Sequence, residues 1–192
     1  MARGITESNR EGAIGDCAAL GAGAPAGRAW PEAAVRVTFG VIWAIDASLK
    51  WQPGFRATIV SSLAATAAGE PHWLAPWFDL WLRLQRPDPW AWAYLVAVTE
   101  TLLAACVLLG VARKLVYAAG AAYALIVWST ADGFGAPYGP GATDIGPAII
   151  YSVVFCALLT MGAQGAAGRY SLDTLIARRV AWWHRLGWSG AD

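Results

Sequence analysis

The sequence predicts an all-α integral membrane protein: a four-transmembrane-helix bundle with an outer Trp-rich interfacial helical lid and a C-terminal cytoplasmic amphipathic helix. Three observations predict it. The chain is 57% hydrophobic and 14% charged, with 12 tryptophans, which is too apolar for a soluble domain of 192 residues. Four apolar runs, residues 35–51, 90–111, 114–131 and 145–163, are long enough, or nearly so, to cross a hydrocarbon core of about 30 Å. Ten of the fourteen Lys and Arg residues (Arg3, Arg10, Arg28, Arg36, Arg113, Lys114, Arg169, Arg178, Arg179 and Arg185) flank those runs on one side. The positive-inside rule makes that side cytoplasmic, so the chain is expected in the cell inner (plasma) membrane, multi-pass, with both termini cytoplasmic.

Residues 1–34 are rich in Gly and Ala, and Asp16 interrupts their only mildly apolar stretch. They predict a disordered cytoplasmic tail rather than a signal peptide or a span. Residues 35–168 form the membrane domain. In its first run Phe39, Trp43, Asp46 and Lys50 recur at helical spacing, and a stripe carrying two charges must face the bundle rather than lipid. The outer segment 52–89 is punctuated by Pro71, Pro76, Pro87 and Pro89 and predicts a helix from Phe55 to Ala68. After it, Trp73, Trp77, Leu80, Trp81 and Leu84 repeat at three and four residues opposite Asp79 and Arg83, a pattern expected to lie at headgroup depth as a lid. Residues 169–192 place Leu172, Leu175, Ile176, Val180 and Trp183 on one face, away from Arg178, Arg179 and Arg185. They predict an amphipathic cytoplasmic helix resting on the anionic leaflet.

Charges inside apolar runs mark the candidate site. An ionised side chain at a bilayer centre costs about 2.5–3.5 kcal/mol even on the lower scales, so Asp46, Lys50 and Glu100 are functional candidates by default. A buried Asp–Lys pair can equally serve only to hold two helices together. Counting about 1.5 Å per residue from the cytoplasmic ends puts Asp46 and Glu100 near one depth. Asp132 closes the third run, Asp144 opens the fourth, and a Gly/Pro-rich loop joins them. The expected pocket therefore lies in the outer leaflet, with Trp43, Trp51, Trp128, Asp132, Phe134, Tyr138 and Asp144 as cofactor-binding candidates and Asp46, Lys50 and Glu100 as catalytic ones. Such a pocket suits a quinone, whose ring needs an apolar slot and whose carbonyls need acids or amines that bond them and move protons. It would also suit a proton-coupled carrier or a lipid.

Other classes are disfavoured. A net charge of +1 with no basic tract argues against nucleic acid. Three cysteines without a CxxC give neither a disulfide framework nor a zinc signature, and His72 and His184 fall on opposite sides of the predicted membrane, so no haem or metal is predicted. Nucleotide and hydrolase fingerprints are absent from the sequence.

The segments Phe39-Gly-Val-Ile-Trp-Ala-Ile-Asp-Ala-Ser-Leu-Lys-Trp51, Glu100-Thr-Leu-Leu-Ala-Ala-Cys-Val-Leu-Leu-Gly-Val-Ala-Arg113 and Gly168-Arg-Tyr-Ser-Leu-Asp173 resemble the DoxX/DoxD membrane-protein family over about residues 35–173. The long outer segment with Pro53-Gly54-Phe55 is more similar to the DoxD branch, the small subunit of thiosulfate:quinone oxidoreductase. The resemblance implies a four-helix membrane module that works with redox partners and membrane lipid. It matches no catalytic cysteine or metal ligand of this chain, and it raises a prior without locating a site. Two readings remain open: a membrane subunit that anchors or stabilises a larger redox complex through its outer face, and a quinone-interacting subunit of a thiosulfate:quinone-type oxidoreductase in the respiratory chain.

Overall fold

The computed structural model describes residues 30–135, 145–164 and 170–188. Residues 1–29 of the expected tail, the loop 136–144 with Tyr138 and Asp144, and residues 165–169 lie outside the described residues. All regular structure among the described residues is helical. The α-helices are α1 (Trp30–Lys50), α2 (Pro53–Gly69), α3 (Ala75–Gln85), α4 (Pro89–Leu109), α5 (Arg113–Thr130), α6 (Pro147–Ala163) and α7 (Leu172–Ala177). Short 3-10 turns occupy His72–Leu74, Gly133–Gly135 and Ala181–Arg185.

The helix starts follow local chemistry. Proline stands in the first turn of α2, α4 and α6, where its missing N–H would have had no partner. Asp88 caps α4 by accepting the Ala91 N–H at 3.0 Å. Helix α4 ends on Gly110 at φ +65°, and a Cβ there would meet the Arg36 guanidinium and Ser171, so this position needs glycine for its conformation and for its space.

Helix α1 lies along α4 and α5 lies along α6, and these are the two most extensive helix interfaces. Their shared core holds Phe39 and Trp43 from α1, Val107 from α4, Tyr117 from α5, and Phe155 and Leu158 from α6. The aromatic rings meet edge-on, Phe39 with Phe155 at 4.9 Å and Trp43 with Phe155 at 5.2 Å. Gly120 allows this approach, since a Cβ on it would run into the Phe155 ring. A smaller cluster of Leu63, Phe78 and Leu82 joins α2 to α3.

Among the described residues α4 is the one helix long and apolar enough to cross a membrane, and α6 is apolar but only 17 residues long. Among the described residues helix α1 takes in five residues ahead of the expected first run, and it buries Glu32 and Arg36 on its inner face.

Two elements differ from expectation. The C-terminal segment is not one amphipathic helix: it breaks into α7 and a 3-10 turn and folds back on the bundle, with Asp173 fully buried. Its inward polar group is an anchor that hydropathy spacing treats as a solvent-facing charge. In α3, Phe78 and Leu82 turn inward with Trp77 and Trp81 beside them, while Leu80 and Leu84, and Trp73 in the turn before α3, are exposed, so the expected single stripe is divided.

Candidate functional site

Glu100 sits midway along α4 and is 3% exposed. Tyr123 of α5 donates its hydroxyl to Glu100 Oε1 at 3.0 Å. Lys50, at the last turn of α1, donates to Asp46 Oδ2 at 3.0 Å and stands 3.6 Å from Glu100 Oε2. Two carboxylates thus share one ammonium, and three helices meet at it. Spacing within α1 identified the Asp46–Lys50 half of this group, which one helical turn makes neighbours. Tyr123 was not singled out, because nothing in a tyrosine at that position distinguishes it from a core aromatic.

Lys50, Glu100 and Tyr123 of this group line a cavity of about 450 Å³ with largely apolar walls. That volume falls within the usual range for a small-molecule site. Phe55, Ile59 and Leu63 of α2 line one side, Leu95, Val96 and Thr99 of α4 another, and Ile126, Val127 and Thr130 of α5 a third. Trp81 and Gln85 of α3 and Trp92 of α4 also line it, the two indoles meeting at 6.4 Å. Trp92 donates its indole N–H to Leu84 O at 2.6 Å, which fixes α3 over the cavity.

The remaining sequence candidates are distributed differently. Asp132 lines the cavity and also caps α6, accepting the Ala148 N–H at 3.0 Å. Trp43 is outside the cavity wall, in the aromatic core against Tyr123, Tyr151 and Phe155. Trp51 turns outward, donating to Thr101 Oγ1 at 3.0 Å beside Tyr94. Trp128 donates to Ile145 O at 2.7 Å, which ties the α5 end to the start of α6, and Phe134 packs edge-on against Trp128 and against the α2–α3 cluster. Tyr138 and Asp144 fall outside the described residues. Depth along a helix groups these aromatic residues together, whereas only side-chain direction separates wall from core.

A second polar group, at the opposite end of the bundle, was read in the sequence as free flanking charge. Arg113 and Asp173 are fully buried and pair at 3.0 Å. Asp173 also accepts the backbone N–H groups of Ala112 and Arg113 and the Trp183 indole N–H. These bonds hold the α4–α5 turn, where Ala112 adopts φ +50°, a left-handed conformation that L-residues enter at a cost of about 1–2 kcal/mol. Glu32 accepts the Tyr117 hydroxyl at 2.9 Å and lies 3.7 Å from Arg113 Nη1. Arg36 binds the terminal carbonyls of α4 at Val107 and Leu108 and reaches Tyr170 O. Arg36 and Arg113 are buried because each finds carboxylate and carbonyl partners inside the protein.

Among the described residues no group of three or more His, Cys, Asp or Glu side chains is arranged to hold a metal ion. Fold and site together define, among the described residues, an all-helical protein with one helix fit to cross a membrane and an amphiphile-sized cavity lined by Lys50, the buried Glu100 and Tyr123. No family model matches the chain, and no curated protein or solved structure is significantly similar to it.

Proposed function

We propose that the chain is a four-span membrane subunit of a redox complex of the DoxX/DoxD type, and that its cavity binds the ring of a quinone. The observation that carries this reading is the cavity itself: an apolar slot of about 450 Å³ whose buried end presents the Lys50 ammonium, Glu100 and the Tyr123 hydroxyl. An ammonium polarises a quinone carbonyl, and a neighbouring carboxyl relays the protons that accompany reduction. Two electrons and two protons convert quinone to hydroquinone. The electrons come from a partner subunit, with thiosulfate as the donor that the DoxD resemblance suggests.

The four-span reading is supported by where the polar residues of the shorter candidates point. Helix α1, 21 residues and so about 31 Å long, turns Glu32, Arg36 and Lys50 inward and exposes Val37, Val41 and Ile45. Helices α5 and α6 likewise expose Leu125, Ile150 and Val153. Polar groups facing the bundle with apolar groups facing out is the arrangement lipid requires. Both ends of the bundle segment then face the cytoplasm, with α2 and α3 outside. In a background without native cysteines, Ser61→Cys is expected to react with an impermeant reagent added outside intact cells and Ala181→Cys only after lysis. The reverse sidedness would invert the topology.

An anchoring role is supported by the exposed Leu80 and Leu84 of α3 and Trp73 of the turn before it, outward apolar groups suited to a larger subunit. Holding that subunit and binding a quinone are compatible. The quinone reading is tested by extraction: protein purified in mild detergent is expected to carry near-stoichiometric quinone. Thr99→Trp, which puts an indole into the cavity, should reduce that content by at least about tenfold, the equivalent of roughly 1.4 kcal/mol. Equal quinone in both preparations would place the ligand elsewhere.

A further inference from the structure

Arg56, near the start of α2, is fixed by aromatic side chains of another helix. Its guanidinium carbon lies 5.5 Å from the Trp90 ring centre and 5.2 Å from that of Tyr94, both in the first two turns of α4. Its Nη1 donates to the Tyr94 hydroxyl at 2.6 Å, and Trp51 packs against Tyr94 at 6.1 Å. No carboxylate among the described residues lies within ion-pair distance of Arg56. Nε is buried, whereas Nη2 is not buried and makes no hydrogen bond to any described residue. One donor-bearing corner of an immobilised cation therefore faces outward without a counter-charge. None of these side chains lines the cavity.

The surroundings of this corner define what would supply that charge. Trp90 and Tyr94 stand at the end of α4 remote from Gly110, which in the four-span reading is the outer interface, the depth at which Trp and Tyr rings concentrate. Below them Val98 and Leu102 continue the same stripe at every fourth residue, and all four side chains are exposed. From Tyr94 to Leu102 the helix rises about 12 Å, most of the roughly 15 Å that one leaflet contributes to the hydrocarbon core. A fixed cation above an apolar stripe matches a molecule with an anionic head and an acyl tail. A phosphodiester accepts from Nη2 and provides the counter-charge, whereas a zwitterionic head would bring its own ammonium beside the guanidinium. We propose that Arg56, Trp90 and Tyr94 form a headgroup site for an anionic phospholipid of the outer leaflet, with an acyl chain lying along Val98 and Leu102. This inference rests on the four-span reading and is independent of any ligand in the cavity.

The site joins two elements that are distant in sequence, since Arg56 belongs to α2 and its rings belong to α4. A bound headgroup therefore braces α2, whose Phe55 and Ile59 line the cavity, against the bundle.

The test is native mass spectrometry of the purified full chain, delipidated in mild detergent and titrated with phosphatidylglycerol or with phosphatidylcholine of the same acyl chains. The first phosphatidylglycerol is expected to bind at least about fivefold more tightly than the first phosphatidylcholine, the weight of one cationic side chain at an anionic surface. Arg56→Gln is expected to abolish that preference and Arg56→Lys to keep part of it, a rescue that loss of the fold would not give. Arg86→Gln removes an exposed cation at the end of α3 and is expected to leave the preference unchanged, which controls for diffuse surface charge. Equal affinities for the two lipids, binding of neither, a preference unaltered by Arg56→Gln, or an equal loss in Arg86→Gln would overturn the proposal. Each of these leaves standing the four-span reading, which the cysteine labelling tests separately. Displacement of the bound lipid by inorganic phosphate at equal concentration would reassign the site to a soluble anion and overturn the lipid assignment.

Discussion

Arg113→Met is expected to destabilise the detergent-solubilised protein by about 3–5 kcal/mol, the usual cost of stripping a buried ion pair of one partner. Arg113 holds Asp173 at 3.0 Å, lies 3.7 Å from Glu32, and donates to Trp188 O at 2.8 Å. Methionine fills a similar volume but leaves the Asp173 carboxylate buried without its cation. Glu32 keeps only Arg36, whose Nε lies 4.0 Å away, and the Tyr117 hydroxyl. Arg113→Lys returns the charge without the planar fork that reaches Asp173 and Trp188 together, so its loss should be intermediate. Thermal unfolding followed by tryptophan emission, read together with membrane yield, checks the order. A methionine variant within about 1 kcal/mol of the parent would show that this cluster does not hold the bundle closed.

Lys50→Met is expected to weaken quinone binding by roughly ten- to a hundredfold, since a hydrogen bond from a charged group contributes about 1.5–3 kcal/mol. It should also reduce stability, because Glu100 is left buried beside Asp46 with no cation. The two effects can be separated. The double variant Lys50→Met with Glu100→Gln removes both buried charges and is expected to recover most of the stability while quinone binding stays lost. Recovery of binding along with stability would show that Lys50 acts only by holding α1 against α4. In the complete complex Glu100→Gln alone keeps the side-chain shape and removes the transferable proton, and it should lower quinone-linked turnover by at least about tenfold.

Helical spacing made much of the architecture legible in the sequence. The apolar runs coincide with α1, α4, α5 and α6 to within five residues, and of the stripe Phe39, Trp43, Asp46, Lys50 the two aromatic residues are buried while Lys50 and Asp46 are partly exposed. The Asp46–Lys50 contact followed from one turn of helix. What spacing could not supply was contact between elements distant in sequence. Tyr123 reaches Glu100 across a helix pair, and Asp173 reaches Arg113 over 60 residues. Depth counting grouped Trp43, Trp51 and Trp128 as pocket lining because it carries no angular information. Each indole has its own partner elsewhere: the aromatic core, Thr101 and Ile145 respectively. In sequence Arg36 and Arg113 are only charges flanking the apolar runs, and it is their carboxylate and carbonyl partners that bury them.

The Asp173 contacts also impose an order on biosynthesis. The α4–α5 turn with its left-handed Ala112, and the buried guanidinium of Arg113, are completed by side chains that leave the ribosome some 60 to 75 residues after them. During elongation the helices already emerged hold the Arg113 guanidinium with Glu32 but without Asp173, a state that can still turn, slip or be extracted. Arrival of Asp173 and Trp188 converts that provisional hairpin into a locked one. A nascent chain stalled before residue 173 should therefore remain open to a membrane protease, whereas one released beyond residue 188 should resist it, so the lock would act as a checkpoint that reports completion of synthesis.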